Sequence, residues 1–185
     1  MKSKTLLLGV GLLSVIVAGV VGAHDRDSGK FRVATTLRPA EEVPVVSSVA
    51  KGFFKATIDT ENETISYELS YDGLEGTPAQ AHIHVGQTGV NGAISVFLCT
   101  NLPVPAVTPA IPQPPACPAP PATVTGTLTA ANVIALTTPQ PQGIDAGEFD
   151  ELAAAIRRGL AYANVHSSRF PGGEVRGQID DISRK

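Results

Sequence analysis

Three of the four histidines stand where their side chains could converge. In Ala81-His82-Ile83-His84-Val85-Gly86, apolar and imidazole side chains alternate as in a strand, so His82 and His84 share one face and Ile83 and Val85 the other. Their Cα atoms would lie about 6.7 Å apart, which lets two imidazoles reach one ion. The plan recurs in Ala161-Tyr162-Ala163-Asn164-Val165-His166, with Ala161, Ala163 and Val165 as the apolar set and Tyr162, Asn164 and His166 as the polar one. If the two strands are neighbours, His82, His84 and His166 supply three nitrogen ligands and leave one position open, a set that suits copper or zinc. The competing expectation is a structural cluster whose rings hydrogen-bond to backbone carbonyls, or to a carboxylate such as Glu174, and fix the glycine turns after each strand. In either case the polar faces are expected to look outward from a sandwich.

Other arrangements that could carry chemistry are incomplete. Ser167 and Ser168 adjoin His166, but neighbours along a strand point to opposite faces, and no G-x-S-x-G elbow is present. Gly86, Gly89 and Gly92 are spaced like a phosphate loop, yet no Lys-Ser/Thr follows and the segment joins two strands, so it reads as a turn. Glu41/Glu42 and Glu148/Asp150/Glu151 read as solvated acidic groups, and Arg176 is expected to pair with a carboxylate across the last hairpin. The expectation is therefore a binding or structural module without catalytic activity, with copper or zinc binding by the histidines, and redox activity of such an ion, as the alternative.

Charge and leader limit the partners. The chain of 185 residues carries 14 basic and 17 acidic residues, a formal charge of −3, and so lacks the basic footprint of a nucleic-acid binder. Lys2 and Lys4 precede an apolar run from Leu6 to Val21, and Val21-Gly22-Ala23 has the small residues of a cleavage site, which predicts an export signal over residues 1–23. Retained, the run would be a membrane anchor; cleaved, it leaves His24 at the head of a mobile tail over residues 24–30. A secreted, periplasmic or cell-surface location follows, with an extracytoplasmic ligand or protein as partner. Cys99 and Cys117 are expected to form a disulfide in that compartment.

The remainder reads as one mainly β domain over residues 31–182. Alternating segments predict strands at 31–37, 49–59, 64–71, the His82/His84 stretch, 92–99, 122–129, 160–166 and 173–179, with Gly52 at a bulge in the second. Asn62-Glu63-Thr64, a glycosylation pattern, falls at a hairpin tip. Nine of the fifteen prolines lie between Pro103 and Pro121, so residues 101–121 are expected to form an extended loop stapled by the two cysteines. Asp145 and Glu148 have capping-box spacing, and Phe149, Leu152, Ala153 and Ile156 recur at helical intervals, which predicts one amphipathic helix over 146–158 ending at Gly159. Eight or so short strands with a single helix predict an antiparallel, Greek-key-like β-sandwich.

The residues on which these elements turn resemble the CHRD family, the domain repeated in chordin and found singly in exported microbial proteins. The resemblance rests on Ala81-His82-Ile83-His84-Val85-Gly86 with Asn91-Gly92, on the strand entered through Gly52, and on Ala161 to His166 followed by Phe170-Pro171-Gly172-Gly173-Glu174-Val175-Arg176-Gly177-Gln178-Ile179. It implies an extracytoplasmic β-sandwich module of unassigned biochemical role. The proline-rich insertion departs from the family pattern, and the cysteine-rich modules that flank the domain in chordin are missing, so growth-factor binding does not carry over. The His-x-His strand is also similar to that of copper/zinc superoxide dismutases, but the bridging histidine and zinc-binding aspartate of those enzymes have no counterpart here.

Overall fold

The computed structural model describes residues 29–104 and 106–183; the expected leader and residues 24–28 lie outside them. Strands β1 (Lys30–Leu37), β2 (Lys51–Asp59) and β3 (Thr64–Asp72) form an antiparallel meander. The chain then crosses to a second sheet for β4 (Pro78–Val85) and β5 (Ala93–Thr100), and returns for β6 (Ala122–Thr129) beside β3. Helix α1 (Phe149–Arg157) precedes β7 (Ala161–Ser167) and β8 (Val175–Gln178) in the second sheet, and β9 (Asp180–Asp181) closes on β1. The result is a β-sandwich of two antiparallel sheets, ordered β6-β3-β2-β1-β9 and β5-β4-β7-β8. Phe54, Ile65 and Leu69 face Ile83, Leu98 and Val165 in one buried core.

Period-two alternation selects these faces. In β3, Ile65, Tyr67, Leu69 and Tyr71 are buried and the residues between them are not. Aromatic hydroxyls inside the core find acceptors: Tyr67 donates to the Leu98 carbonyl and Tyr71 to that of Pro118, each at 2.6 Å. Gly52 is not at a bulge. It sits in regular register between Leu37 and Tyr71, and a Cβ there would meet the Ser70 carbonyl at 2.8 Å and the Leu37 side chain at 3.1 Å, so glycine serves close packing. The hairpin tip at 60–63 is held by Asp59, whose Oδ1 accepts from the backbone N–H groups of Glu61 and Asn62. Lys30 opens β1 and pairs with Asp59 at 2.9 Å.

Helix α1 is shorter at its start than capping-box spacing suggests. Glu148 Oε2 does accept from the Asp145 N–H at 2.7 Å, but Gly147 at φ +87 turns the backbone and the helix begins at Phe149. Its expected apolar stripe of Phe149, Leu152, Ala153 and Ile156 is buried, and Gly159, at φ +70, ends it. The disulfide joins Cys99 and Cys117, both buried. Asn101 reinforces it by accepting from the Cys117 N–H and donating to the Cys117 and Pro78 carbonyls, so the proline-rich loop is anchored at its base by polar contacts as well. Replacing both cysteines by alanine is therefore expected to cost less than the about 3 kcal/mol of the chain-entropy formula, because proline already restricts the unfolded loop. Urea denaturation of the double variant measures the cost, and alkylation of the unreduced protein, which should label no thiol, checks the bond.

Candidate metal centre

β4 and β7 are neighbours in one sheet. Their register sets Gln80 opposite His166, His82 opposite Asn164 and His84 opposite Tyr162, which brings His82, His84 and His166 onto one face. Register shifts between Ala81 and His82 and between Ile83 and His84, against β5, re-aim that strand at the two histidines. One ligand atom from each ring can be chosen so that all three lie within 4.8 Å of one another. The closest pair is His82 Nδ1 and His166 Nε2 at 3.2 Å. Two nitrogens held tetrahedrally at about 2.0–2.1 Å from one zinc would be about 3.3 Å apart, so this spacing matches one edge of a coordination polyhedron from which the shared proton would have to leave. The widest pair must close by at most about 1.5 Å, within reach of small side-chain rotations.

The tautomers are set by the backbone. His84 Nδ1 lies 3.0 Å from the Gly92 carbonyl and His166 Nδ1 lies 2.9 Å from that of Pro171; a carbonyl only accepts, so both Nδ1 atoms carry the proton. Each neutral ring then carries its lone pair on Nε2, the arrangement found where a histidine's second nitrogen binds metal. His82 donates Nδ1–H to His166 Nε2, and an ion between them would displace that shared proton. The Nε2 atoms of His82 and His84 are buried with no hydrogen-bond partner. Glu174 is not part of the cluster: its Oε1 accepts from Ser48 and from the Glu75 N–H, tying two loops together.

The face looks away from the core yet is not solvated, contrary to the expectation for an outer face. His82 is 1% and His84 7% exposed, with His166 partly covered. Glu42 and Val43 border it: Asn91 Nδ2 donates to the Val43 carbonyl, and Glu42 lies against Gly173 and the Asn164 side chain. Phe97, across from His82 on β5, packs edge to face on its ring at 4.6 Å, and Tyr162 stacks on His84 at 4.7 Å. Burial depresses all three imidazoles below their ordinary 6.5. Burial holds His82 well below that value, helped by the other two rings, and His84 falls to about 4 despite its bond to Gly92. All three are therefore neutral at pH 7, the form that ligates metal.

Two charged residues behave differently from expectation. Glu42, read as one of a solvated acidic pair, is 5% exposed, and desolvation raises its carboxyl to about 7 although Arg176 opposes the shift. Arg176, read as the partner of a carboxylate across the last hairpin, instead clamps the turn between β4 and β5. Its guanidinium donates to Asn91 Oδ1 at 3.0 Å and to the Val90 carbonyl at 2.8 Å, and lies 3.4 Å over the Tyr162 ring. That turn carries the Gly92 carbonyl, so Arg176 indirectly fixes His84. Sequence spacing could not single out Glu42 or Phe97 for this site, because neither shares a strand with a histidine. Asn164, whose side chain bears on both Glu42 and His84, does share the face of His166.

Ser167 and Ser168 are occupied in loop contacts: Ser167 Oγ accepts from the Phe170 N–H, and Ser168 Oγ accepts from that of Thr77. A surface depression of about 450 Å³ lies on the other sheet around Phe53, Tyr71 and Pro121, away from the histidines. A smaller one of about 210 Å³ is lined by Glu42, Val43, Phe170 and Pro171, and so adjoins the carbonyl that holds His166.

No curated protein and no solved structure shows significant similarity to this chain. The family model described as the CHRD domain matches residues 33–179, from within β1 to the end of the β7–β8 hairpin and across every residue of the histidine site, and the chain belongs to that family.

Proposed function

We propose that this CHRD domain is an exported binding module whose ligand is a transition-metal ion, copper or zinc, held by His82, His84 and His166. One observation carries the reading: two of the rings are held by backbone carbonyls in the tautomer that leaves the lone pair on Nε2, within a cluster whose ligand atoms lie within 4.8 Å of one another. A bound ion would give the buried Nε2 atoms of His82 and His84 a partner, and a buried polar atom without one costs about 1–3 kcal/mol. Export is supported by the disulfide, and among the described residues no helix is long and apolar enough to cross a membrane. In this reading the ion serves binding or stability, with redox activity of a copper ion as the alternative; Ser167 and Ser168 are committed to loop contacts.

The 3.2 Å contact between His82 and His166 favours a second reading, in which the rings form a dry, metal-free hydrogen-bonded cluster. Elemental analysis of protein purified without a metal-affinity tag separates the two. One equivalent of copper or zinc, lost in His84→Ala and in His166→Ala, supports the metal site. Protein that is empty and takes up no added ion leaves only the hydrogen-bonded cluster.

A further inference from the structure

The kind of ion can be argued from charge, on the basis of the metal reading above. All three donors are neutral imidazoles, and no thiolate or carboxylate belongs to the ligand cluster. His82 and His84 are almost closed to solvent, so an ion held by them gives up most of its hydration, and the Born cost of that transfer grows with the square of the ionic charge. A permanent cation is already built in. Arg176, itself 2% exposed, lies 3.4 Å over Tyr162, whose other neighbour in the stack is the His84 ring, parallel to within 3°. Its charge works against a second positive charge on His84, and works twice as hard against a divalent ion as against a monovalent one. Glu42 is the opposing group. Donor type alone does not choose, since imidazole accepts zinc and copper alike. Zinc with three protein ligands ordinarily completes its shell with water or substrate, whereas His82 and His84 are all but closed to solvent.

We propose that the His82–His84–His166 site selects the monovalent cuprous ion over the cupric and zinc ions, with the buried Arg176 setting the preference through Tyr162. Under anaerobic conditions, the full exported protein is titrated at pH 8 with cuprous ion against a chromogenic cuprous chelator, and with cupric and zinc ions against chelators suited to each. The expected result is cuprous binding at least tenfold tighter than either divalent ion. For the cupric comparison, tenfold corresponds to a one-electron couple raised by about 59 mV relative to the ions in water. Zinc or cupric ion bound as tightly as cuprous ion overturns the selectivity and leaves the metal site standing. No binding of any of the three ions removes the site itself. Arg176→Met should narrow the preference and Glu42→Gln should widen it. If Arg176→Met does not fold, the wild-type comparison and Glu42→Gln still decide, and a preference unmoved by Glu42→Gln contradicts control by the local charges.

Discussion

Replacing Gly92 by alanine is expected to destabilise the protein by about 3 kcal/mol and to weaken metal binding by 10- to 100-fold. Gly92 ends the turn between β4 and β5, and a Cβ there would run into the Val85 carbonyl and crowd the Cα of Gly86. Both obstacles are backbone, so no rotamer change relieves them; the turn itself must open. The Gly92 carbonyl is also the acceptor that fixes the His84 tautomer, and its N–H lies against the Tyr162 hydroxyl at 3.3 Å. Opening the turn thus frees the ring to rotate and lets Nδ1 compete for the ion. Chemical denaturation and metal titration of Gly92→Ala check both effects. Unchanged stability would mean that the turn is more compliant than its contacts imply, and full metal affinity in a destabilised variant would show that His84 needs no backbone anchor.

The second large effect is a dependence on pH with two opposing limbs. Glu42 is held at about 7 against the 4.5 of an unfolded chain. Between those values the folded state binds more protons than the unfolded state, so stability falls as pH rises through that window. At 1.36 kcal/mol per tenfold difference, the loss reaches about 3 kcal/mol at pH 8. The histidines act in the other direction. Their pKa values are depressed on folding, so below pH 6.5 the unfolded state binds more protons, and metal-free protein loses stability as pH falls toward the folded value of about 4 for His84. Glu42→Gln should remove the alkaline limb only: the variant should be about 3 kcal/mol more stable than wild type at pH 8, and the difference should shrink to about 1 kcal/mol near pH 5 and vanish below about pH 4. A difference constant across that range would place Glu42 as an ordinary ionised carboxylate.

Much of this site was legible in the strands. Alternation in Ala81 to Val85 and in Ala161 to His166 assigns each side chain to the correct face, and strand adjacency does the rest, because two polar faces in one sheet must coincide. Alternation contains no information about what lies above a face. Glu42 borders that face from a proline-broken segment 40 residues before His82, so it looks like any surface acid until the chain is folded. Arg176 illustrates the same limit. Its place on β8 follows from pattern, but its partners are carbonyls of the turn at 87–91, and a loop's carbonyl directions are not encoded by hydrophobic period. Helix α1 shows a third case: its buried stripe is periodic, whereas its start depends on the positive φ of Gly147, a local backbone choice that overrides capping-box spacing.

The account stands on an ion at the meeting point of three rings, and anomalous diffraction from crystals of the metal-loaded protein, recorded on either side of the copper or zinc absorption edge, tests it most directly. The predicted result is a single anomalous peak about 2 Å from His84 Nε2, His166 Nε2 and one nitrogen of His82, with the Nδ1 atoms of His84 and His166 still bonded to the carbonyls of Gly92 and Pro171. A peak located elsewhere, or metal-loaded crystals in which His82 and His166 keep their direct 3.2 Å hydrogen bond with no density between them, would contradict it.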